Sequence, residues 1–493
     1  MKKISTILLL ACALSATSAW AGGLLHNTNQ SIAWQRMMAR GATNEIDGIY
    51  SNPAGTAFLN HDGWMLSLNI QSASQHRDVL ATFPLFPTDD HTKKYEGKAS
   101  APVIPSLYAA YKRNKWTYSA FFGFTGGGGK CNFESGLPMF DSQVMAGIYS
   151  KTSSLLATQP MLKNIVGADA IMPDMYNINS SMKGRQYIYG FQLGAAYQFN
   201  SHWSAFAGLR LNYFDGNYVG HVDATIGDAL RQRAIAAMAA LTPEQQAAYL
   251  PTVGALSQEG GLTHIALDCN QTGWGVTPIL SVNYKVAGLT LAAKSEFKTN
   301  LSIENDTKKQ EATAMGQASE ELENTMKAAY GHGVNTPSDL PAVLYVAAGY
   351  EIIPNKLRAA LEYHFYDDKH AEMANDKQKY LTHGTHEILA GVEWDINKTF
   401  TISGGFQNTD YGLSDNYQTH TSFSCDSYSL GFGGAVNITE KIRLNAGYFW
   451  TTYKDYTKEV PAGTPGYCNT TLSGKDVYSR TNKVFGIGVD FKF

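Results

Sequence analysis

The sequence predicts an all-β protein: a 14-stranded antiparallel transmembrane β-barrel with an N-terminal hatch, or plug, and helical extracellular loops. The first observation is the stretch 484–493, in which bulky apolar side chains alternate with small or charged ones and which ends on Phe493. Such alternation turns one face of a strand to lipid and the other to water, over about the ten residues that a spanning strand needs. The second is that no apolar run of about 18 residues follows residue 21, so strands would have to cross the membrane.

The N-terminus predicts a secretory signal peptide over residues 1–21. Lys2 and Lys3 precede the apolar run 4–14, and Ala19-Trp20-Ala21 supplies the cleavage site. The mature chain is then expected to begin at Gly22 and to reach the outer membrane of a Gram-negative cell. A lipoprotein signal ending at Cys12 is the alternative, but it would leave an apolar run on the mature end.

The remaining strands are read from the same alternation. An even number lets both ends of a single-chain barrel lie on the periplasmic side. The 14 predicted strands are 64–71, 103–112, 116–125, 186–199, 203–214, 274–284, 289–298, 342–351, 357–366, 387–396, 400–407, 428–438, 442–451 and 484–493.

The connections between these strands alternate in length. Tight turns, such as 113–115 and 397–399, are expected on the periplasmic side and long loops outside. The predicted external loops are 72–102, 126–185, 215–273, 299–341, 367–386, 408–427 and 452–483.

Residues 22–62 precede the first strand and do not alternate, so we predict that they form a hatch inside the barrel 63–493, because unpaired backbone cannot face lipid. This segment contains Asn52-Pro53-Ala54, preceded by Ala33, Arg40-Gly41 and Asp47. With the strand count and the terminal Phe493, it resembles the FadL family of outer-membrane transporters for long-chain fatty acids and other hydrophobic compounds. From the residues alone, Asn52-Pro53 is an ordinary turn, and a rigid turn is also what a hatch needs.

The resemblance implies passive transport of a hydrophobic small molecule, a fatty acid or an aromatic hydrocarbon, by a monomer that contacts outer-membrane lipid and has no cofactor and no enzymatic activity. It also implies sideways release through a break in the third strand. Gly123, Gly126 and Gly127 are the strand-break candidates, since glycine in a strand marks a bulge or a break. The alternative is the flexible start of a loop.

Two loop segments have apolar residues at helical spacing. The resemblance implies that they form the groove that first captures the ligand, and packing within the loops is the alternative. The groove candidates are Leu230, Ala234, Met238 and Leu241 in the third long loop and Met315, Leu322 and Met326 in the fourth.

Several charged residues have the inward parity of their strands. Arg210, Lys294, Lys298 and Arg358 could hold a substrate carboxylate. Glu296 and Glu362 share that parity, so internal salt bridges are the alternative, because isolated buried charges are costly.

Four cysteines follow the signal peptide, in or beside long loops, and an oxidising compartment favours disulfides. We predict Cys425 paired with Cys468, and Cys131 with Cys269. The fifth long loop is crowded with acidic and histidine residues but lacks the spacing of a zinc site, so we predict no metal site there. Its residues of this type are Asp367, Asp368, His370, His383 and His386.

Two other functions compete with transport. A general diffusion porin for small polar solutes would lack a hatch. A barrel enzyme would need an organised Ser/His or Asp/His arrangement, and His364 is the single histidine in the interior of a predicted strand. The net charge of −3 gives no indication of nucleic-acid binding.

Overall fold

The computed structural model describes residues 24–493 apart from 25, 28, 159, 315, 316 and 319. The predicted signal peptide, residues 1–21, and Met315 lie outside the described residues. Among the described residues, no helix is both long enough and apolar enough to span a membrane.

Fourteen antiparallel strands form one closed barrel. Two of them are interrupted, β7 and β8. The strands are β1 Gly63–Thr82, β2 Thr92–Arg113, β3 Trp116–Phe133, β4 Tyr176–Gln198, β5 Trp203–Ile226, β6 Thr263–Val286, β7 Leu289–Glu296 continued by Ser302–Ala314, β8 Asn335–Pro337 continued by Val343–Ile353, β9 Leu357–Tyr366, β10 Thr385–Asp395, β11 Phe400–Asp410, β12 Ser427–Asn437, β13 Ile442–Tyr453 and β14 Gly474–Lys492.

The barrel closes where β1 pairs with β14, in a register that runs from Met65 opposite Lys492 to Thr82 opposite Lys475. The C-terminal residue takes part in this seam, because the backbone N–H of Phe493 donates to Trp64 O at 2.9 Å. The predicted strand count and the closing role of the C-terminal strand are confirmed.

Strand alternation sorts the side chains by polarity. On β1, Leu68 and Ile70 are exposed on the outside, whereas Ser67, Asn69 and Gln71 are buried inside. Four exposed tryptophans lie at the periplasmic ends of strands, as in an interfacial aromatic girdle: Trp64, Trp116, Trp203 and Trp394. An apolar outer belt around a polar interior is the surface of a membrane-spanning barrel, and the chain is an integral protein of the Gram-negative outer membrane.

On one side of the barrel, the strands are longer than the sequence predicted, so the wall is taller there. β1, β2, β4, β5 and β6 have 20 to 24 residues, whereas β9 to β12 have 10 or 11. Much of what was assigned to long loops is therefore strand that continues beyond the membrane; the first external loop shrinks from 72–102 to 83–91. The alternation persists there, but small and polar residues on both faces weaken it.

Helices occupy the hatch and the external loops. The hatch contains α1 Ile32–Met37, α2 Gly48–Ser51 and the 3-10 turn Pro53–Phe58. The loops contain α3 Pro138–Thr158, α4 Pro160–Val166, α5 Asp228–Ala239, α6 Pro243–Leu256 and α7 Glu320–Tyr330, with 3-10 turns at Pro173–Met175, Asp368–His370, Ala374–Tyr380 and Tyr467–Asn469. The helical spacing noted in the third and fourth long loops corresponds to α5 and α7, whereas α3 was not predicted from the sequence.

Candidate functional site: the hatch and the interrupted strand

The hatch lies inside the barrel and is anchored by Asn52. The Asn52 side chain accepts a hydrogen bond from Gly55 N at 3.2 Å, which caps the 3-10 turn that Pro53 begins. Its Nδ2 donates to Asn283 Oδ1 on β6 at 2.8 Å and to Thr43 O at 2.9 Å. Asn52-Pro53 is therefore a turn that is also bonded to the barrel wall, so both interpretations of this motif hold.

The next residues of the motif continue along the wall. Ala54 O accepts from Ser204 Oγ of β5 at 2.7 Å, and Thr56 O accepts from Thr117 Oγ1 of β3 at 3.1 Å. Ala54 itself is fully buried. Three strands thus hold one short turn of the hatch.

A second anchor is an ionic cluster around Glu393 of β10. Its carboxylate pairs with Arg36 of α1, accepts from Arg358 Nε of β9 at 2.7 Å, and lies 3.6 Å from Arg40 Nη1. Arg40 also forms a two-pronged pair with Asp47, at 2.7 Å for each bond. Because Glu393 and both hatch arginines are buried, removing the carboxylate would leave several cations without a counter-charge.

Glycines in the wall permit α1 to approach closely. A Cβ at Gly391 or Gly405 would overlap the carbonyl oxygen of Met37 at the end of α1. These two positions on β10 and β11 therefore accept only glycine while the hatch is seated.

The strand β3 is continuous, but its pairing with both neighbours is interrupted close to Gly126 and Gly127, two of the strand-break candidates. β2 and β3 pair at Ala99 with Cys131 and again at Leu107 with Phe122, but the register between these two points is not continuous. On the other edge of β3, the pairing with β4 shifts between Phe124 and Gly126 and between Gly126 and Gly129. Gly127 and Gly129 have φ of +87° and +69°, which favour glycine.

The hatch bonds to this interruption. Gln30 Nε2 donates to Phe124 O at 2.7 Å, and Phe124 N donates to Gln30 Oε1 at 2.9 Å. Asn27 N donates to Thr125 O at 2.9 Å. The Gln30 carbonyl accepts from Gln71 Nε2 of β1 at 3.0 Å and from Ser106 Oγ of β2 at 3.2 Å. Hatch residues thus satisfy backbone groups that a neighbouring strand would otherwise satisfy.

The four lumen cations predicted as carboxylate anchors already have carboxylate partners. Arg210 binds Glu296 through two nitrogens, at 2.7 and 2.9 Å, and Lys294 lies 2.8 Å from the same carboxylate. Lys298 pairs with Asp339 at 3.0 Å, and Arg358 pairs with Glu393 as described above. These four cations therefore form internal salt bridges, which was the alternative to binding a substrate carboxylate. His364, the histidine expected in the interior of a strand, lies between two carboxylates. Its Nε2 is 2.5 Å from Glu362 Oε1, and its Nδ1 is 3.0 Å from Glu387 Oε2.

The helical loop faces are buried rather than open. Leu230, Leu322 and Met326 belong to one apolar cluster beneath the external loops, which also contains Phe83, Phe140 and Tyr467. Met238 is buried as well. Ala234 is also buried, and Leu241 is half-buried. These residues therefore pack within the loops, as in the alternative interpretation. Their role in capturing a ligand remains a prediction. Exposed apolar side chains on α5 and α6 include Ile235 and Leu250.

The predicted disulfides are absent: Cys131, Cys269, Cys425 and Cys468 are all free thiols. Cys131 and Cys269 lie on β3 and β6 rather than in loops, with two strands between them. Neighbouring strands are about 4.8 Å apart, so this pair exceeds the roughly 7 Å limit for a bridge. Cys468 instead lies 4.0 Å from His420 Nδ1, and Cys425 packs against Tyr478.

No group of three His, Cys, Asp or Glu side chains within the described part of the chain is placed to hold a metal ion. In the fifth loop, His370 bonds to Asp367 at 2.6 Å, and Asp368 is buried and accepts from Thr385 N at 3.0 Å.

Sequence reasoning missed Gln30, Arg36 and Glu393, the residues that fasten the hatch. Strand parity marks Glu393 as inward-facing, but no pattern in the sequence indicates which hatch residue meets it. It also missed Arg77 and Arg480, which fell in predicted loops although each continues the inward parity of its strand.

No protein-family model matches the sequence, and no curated protein matches it. Solved structures do match. A FadL homologue from Pseudomonas aeruginosa aligns over 96% of this chain and 100% of its own, with a TM-score of 0.62 and 12% identity. A deletion variant of the monoaromatic hydrocarbon channel TodX aligns over 94% and 99%, with a TM-score of 0.54 and 14% identity. The Pseudomonas putida toluene transporter TodX aligns over 91% and 94%, with a TM-score of 0.50 and 13% identity. The chain therefore has the fold of the FadL-type outer-membrane channels.

Proposed function

We propose that the protein is a passive outer-membrane transporter for hydrophobic molecules, such as long-chain fatty acids or aromatic hydrocarbons. The external loops capture the ligand, the hatch gates its passage, and the interrupted strand β3 releases it sideways into the membrane. The protein acts as a monomer and needs no cofactor.

The observation that carries this proposal is the pair of hydrogen bonds between the Gln30 side chain and the backbone of Phe124. They join the hatch to the edge of the strand interruption, so displacement of the hatch segment would expose unpaired groups of β3 and widen the break. One movement would then open both the lumen and the wall. A general diffusion porin would not need its hatch movement to be coupled to an opening in the wall.

The surroundings of the interruption suit an apolar cargo. Ala101 and Ile104 of β2 pack with Trp34 of the hatch in one buried apolar cluster, and Phe124 of β3 packs against it. A hydrophobic molecule that reaches this layer would meet apolar side chains and then lipid. That TodX is a toluene transporter supports a hydrophobic cargo for a channel of this fold.

The test combines conductance with uptake. In planar bilayers, the full-length mature protein should show little steady conductance, whereas deletion of 22–54 should give a steady ion-conducting pore. In proteoliposomes, the full-length protein should accelerate entry of a labelled fatty acid or of toluene, but not of sucrose.

A steady wide pore in the full-length protein, with sucrose entry, would contradict the proposal and favour a general diffusion porin. Unchanged conductance in a correctly folded deletion variant would contradict gating by the hatch.

A further inference from the structure

Aromatic rings mark both borders of the apolar belt on the outside of β3 and β4. Near the external loops, Phe124 contacts Tyr187 and Tyr189, with ring centroids 5.4 and 4.9 Å apart. Near the periplasm, Trp116 contacts Tyr197 at 4.6 Å. Tyr187 and Tyr197 are ten residues apart on β4, which at about 3.3 Å per residue and a tilt of about 40° spans about 25 Å. This is the height of the apolar band of an outer-membrane barrel, so the two aromatic groups lie at its two interfaces.

Basic side chains lie directly beyond the outer aromatic group, on the face that points away from the lumen. Arg185 and Lys183 have the strand parity of Leu193, which is exposed on the outside. Lys130 of β3 is exposed and lies directly opposite Arg185. Like charges in this arrangement oppose strand pairing, so the positions favour an anion that lies between them.

A second row of basic residues lies beside the first. Lys98 of β2 lies opposite His76 of β1 on one side and opposite Asn132 of β3 on the other. Asn132 in turn lies opposite Lys183, and Lys98 and His76 are both exposed. Four neighbouring strands thus contribute to one surface, which we call the basic face; it consists of His76, Lys98, Lys130, Lys183 and Arg185.

Carboxylates on the same wall pair with other cations or with a single member of this face. Asp78 of β1 and Glu96 of β2 each lie 3.0 Å from Lys94. Asp215 of β5 lies 2.8 Å from Arg185. Among the residues that the structure describes, three cations of the basic face have no carboxylate within salt-bridge distance; they are Lys98, Lys130 and Lys183. The face therefore has an excess of positive charge.

The basic face also borders the place where the pairing of β3 is interrupted. The pairing of β2 with β3 is lost after Leu107 and resumes where Ala99 lies opposite Cys131. Lys98 and Lys130 are the chain neighbours of these two residues. An amphiphile whose head group binds the basic face would therefore place its apolar chains along the wall beside the interruption.

We propose that the basic face binds the phosphate groups of lipopolysaccharide in the outer leaflet of the membrane. The face lies just beyond the outer interface, at the level of the lipid A phosphates, and lysine and arginine bind phosphate through charge-assisted hydrogen bonds. The aromatic rings and the apolar belt beneath the face contact the acyl chains. Phospholipids of the inner leaflet are adjacent to the opposite ends of these strands. The proposal does not depend on the proposed transport function.

The test compares lipids that differ in their phosphate groups. Binding of bisphosphorylated lipid A, dephosphorylated lipid A and phosphatidylglycerol to the purified full-length barrel is measured by native mass spectrometry in uncharged detergent. We expect bisphosphorylated lipid A to bind at least tenfold more tightly than either of the other two, since each lysine near an anionic lipid contributes to the attraction. The difference should decrease as the concentration of ammonium acetate rises, because salt screens exposed charges.

Two triple variants with the same change in charge locate the site. Lys98→Gln with Lys130→Gln and Lys183→Gln should weaken bisphosphorylated lipid A at least tenfold and leave the dephosphorylated form unchanged. The control is a triple variant in the periplasmic turns, where the side chains are also exposed; it combines Lys356→Gln, Lys398→Gln and Lys441→Gln. It should bind all three lipids as the native protein does. Heat-modifiable migration in gels verifies folding of both variants.

Four results would overturn the inference. Equal affinity for the two forms of lipid A would show that the phosphates are not recognised. Equal affinity for phosphatidylglycerol and bisphosphorylated lipid A would reveal a surface for anionic lipids in general. The same response of both triple variants would contradict the location. Dimers of the native protein that the first variant fails to form would assign the face to a second copy of the chain. None of these results bears on hydrophobic transport, which conductance and uptake test separately.

Discussion

The amide of Asn52 donates to Asn283 Oδ1 at 2.8 Å, which joins the hatch to a strand that follows it by more than 200 residues. The same side chain caps the turn that Pro53 begins and binds Thr43 O. One residue therefore fixes both the shape of the hatch turn and its position on the wall.

Asn52→Ala should loosen the hatch without unfolding the barrel. The substitution removes three hydrogen bonds, each contributing about 1 kcal/mol, while the strand pairing remains intact. Single-channel recordings should show more frequent openings than in the native protein. Asn44→Ala is the matched control, because Asn44 makes one long bond to the wall, to Thr290 at 3.4 Å. Equal opening frequencies in the two variants would mean that Asn52 does not hold the hatch.

Glu393→Gln should have a larger effect on the hatch. Breaking a buried ion pair on one side costs about 3–5 kcal/mol, because the remaining charge is left uncompensated, and Arg36, Arg40 and Arg358 all lie against this carboxylate. We expect faster hydrogen exchange in 32–41, measured by mass spectrometry. Glu440→Gln in the exposed turn between β12 and β13 is the control. Unchanged exchange after Glu393→Gln would show that the ionic cluster is dispensable for seating the hatch.

The seam and the hatch motif could be predicted from the sequence because both depend on local signals. Strict alternation up to Phe493 identifies the closing strand, and Asn52-Pro53 identifies a turn. The outer halves of β1 and β14 could not be placed, because polar residues such as Gln75 and Arg77 on the inward face resemble those of a solvated loop. Their burial depends on what fills the lumen, which alternation does not report.

The loop helices show a different limit. Helical spacing predicted that Leu230 and Met238 share a face, and the structure confirms that both are buried. The spacing cannot distinguish a face that binds a ligand from one that packs on neighbouring loops. Cysteine pairing failed for a similar reason, since it depends on distances between strands that spacing along the chain does not fix.

Gln30→Ala should release the hatch from the strand interruption. The substitution removes both side-chain bonds to Phe124, so the break should open more readily and labelled fatty acid should enter proteoliposomes faster. Gln35→Ala is the control, because Gln35 Nε2 bonds to Val484 O on β14 at 2.9 Å, away from the break. Faster uptake in both variants would indicate general loosening of the hatch, and faster uptake in neither would argue against release through β3.

The fifth loop should lose local stability as the pH rises. Burial raises the pKa of the Asp368 carboxyl to about 7, whereas an unfolded aspartate titrates near about 4. Between these values the folded loop holds a proton that the unfolded loop has released, so the free energy of local unfolding decreases with pH and then levels off above about 7.

The measurement is hydrogen exchange of 368–385 at several pH values, expressed relative to Asp368→Asn at the same pH. The asparagine can still accept from Thr385 N but does not titrate. We expect the native loop to lose protection relative to the variant between about pH 4 and 7. A ratio that does not change with pH would contradict the raised pKa.

Capture by the external loops can now be tested at exposed rather than buried positions. Ile235 on α5 and Leu250 on α6 are 52% and 62% exposed, whereas Leu230 and Met238 are buried. Ile235→Asp with Leu250→Asp should weaken binding of a labelled fatty acid by about tenfold, since each lost apolar contact is worth about 1 kcal/mol, and should leave the loops folded.

Leu230→Asp with Met238→Asp buries two charges and should instead make the loops sensitive to protease. Arg231→Ala, which removes a surface pair with Asp228, should change neither property. If the exposed double variant binds the ligand normally while remaining protease-resistant, the ligand does not first contact these helices, and the loops serve to cover the barrel rather than to collect its cargo.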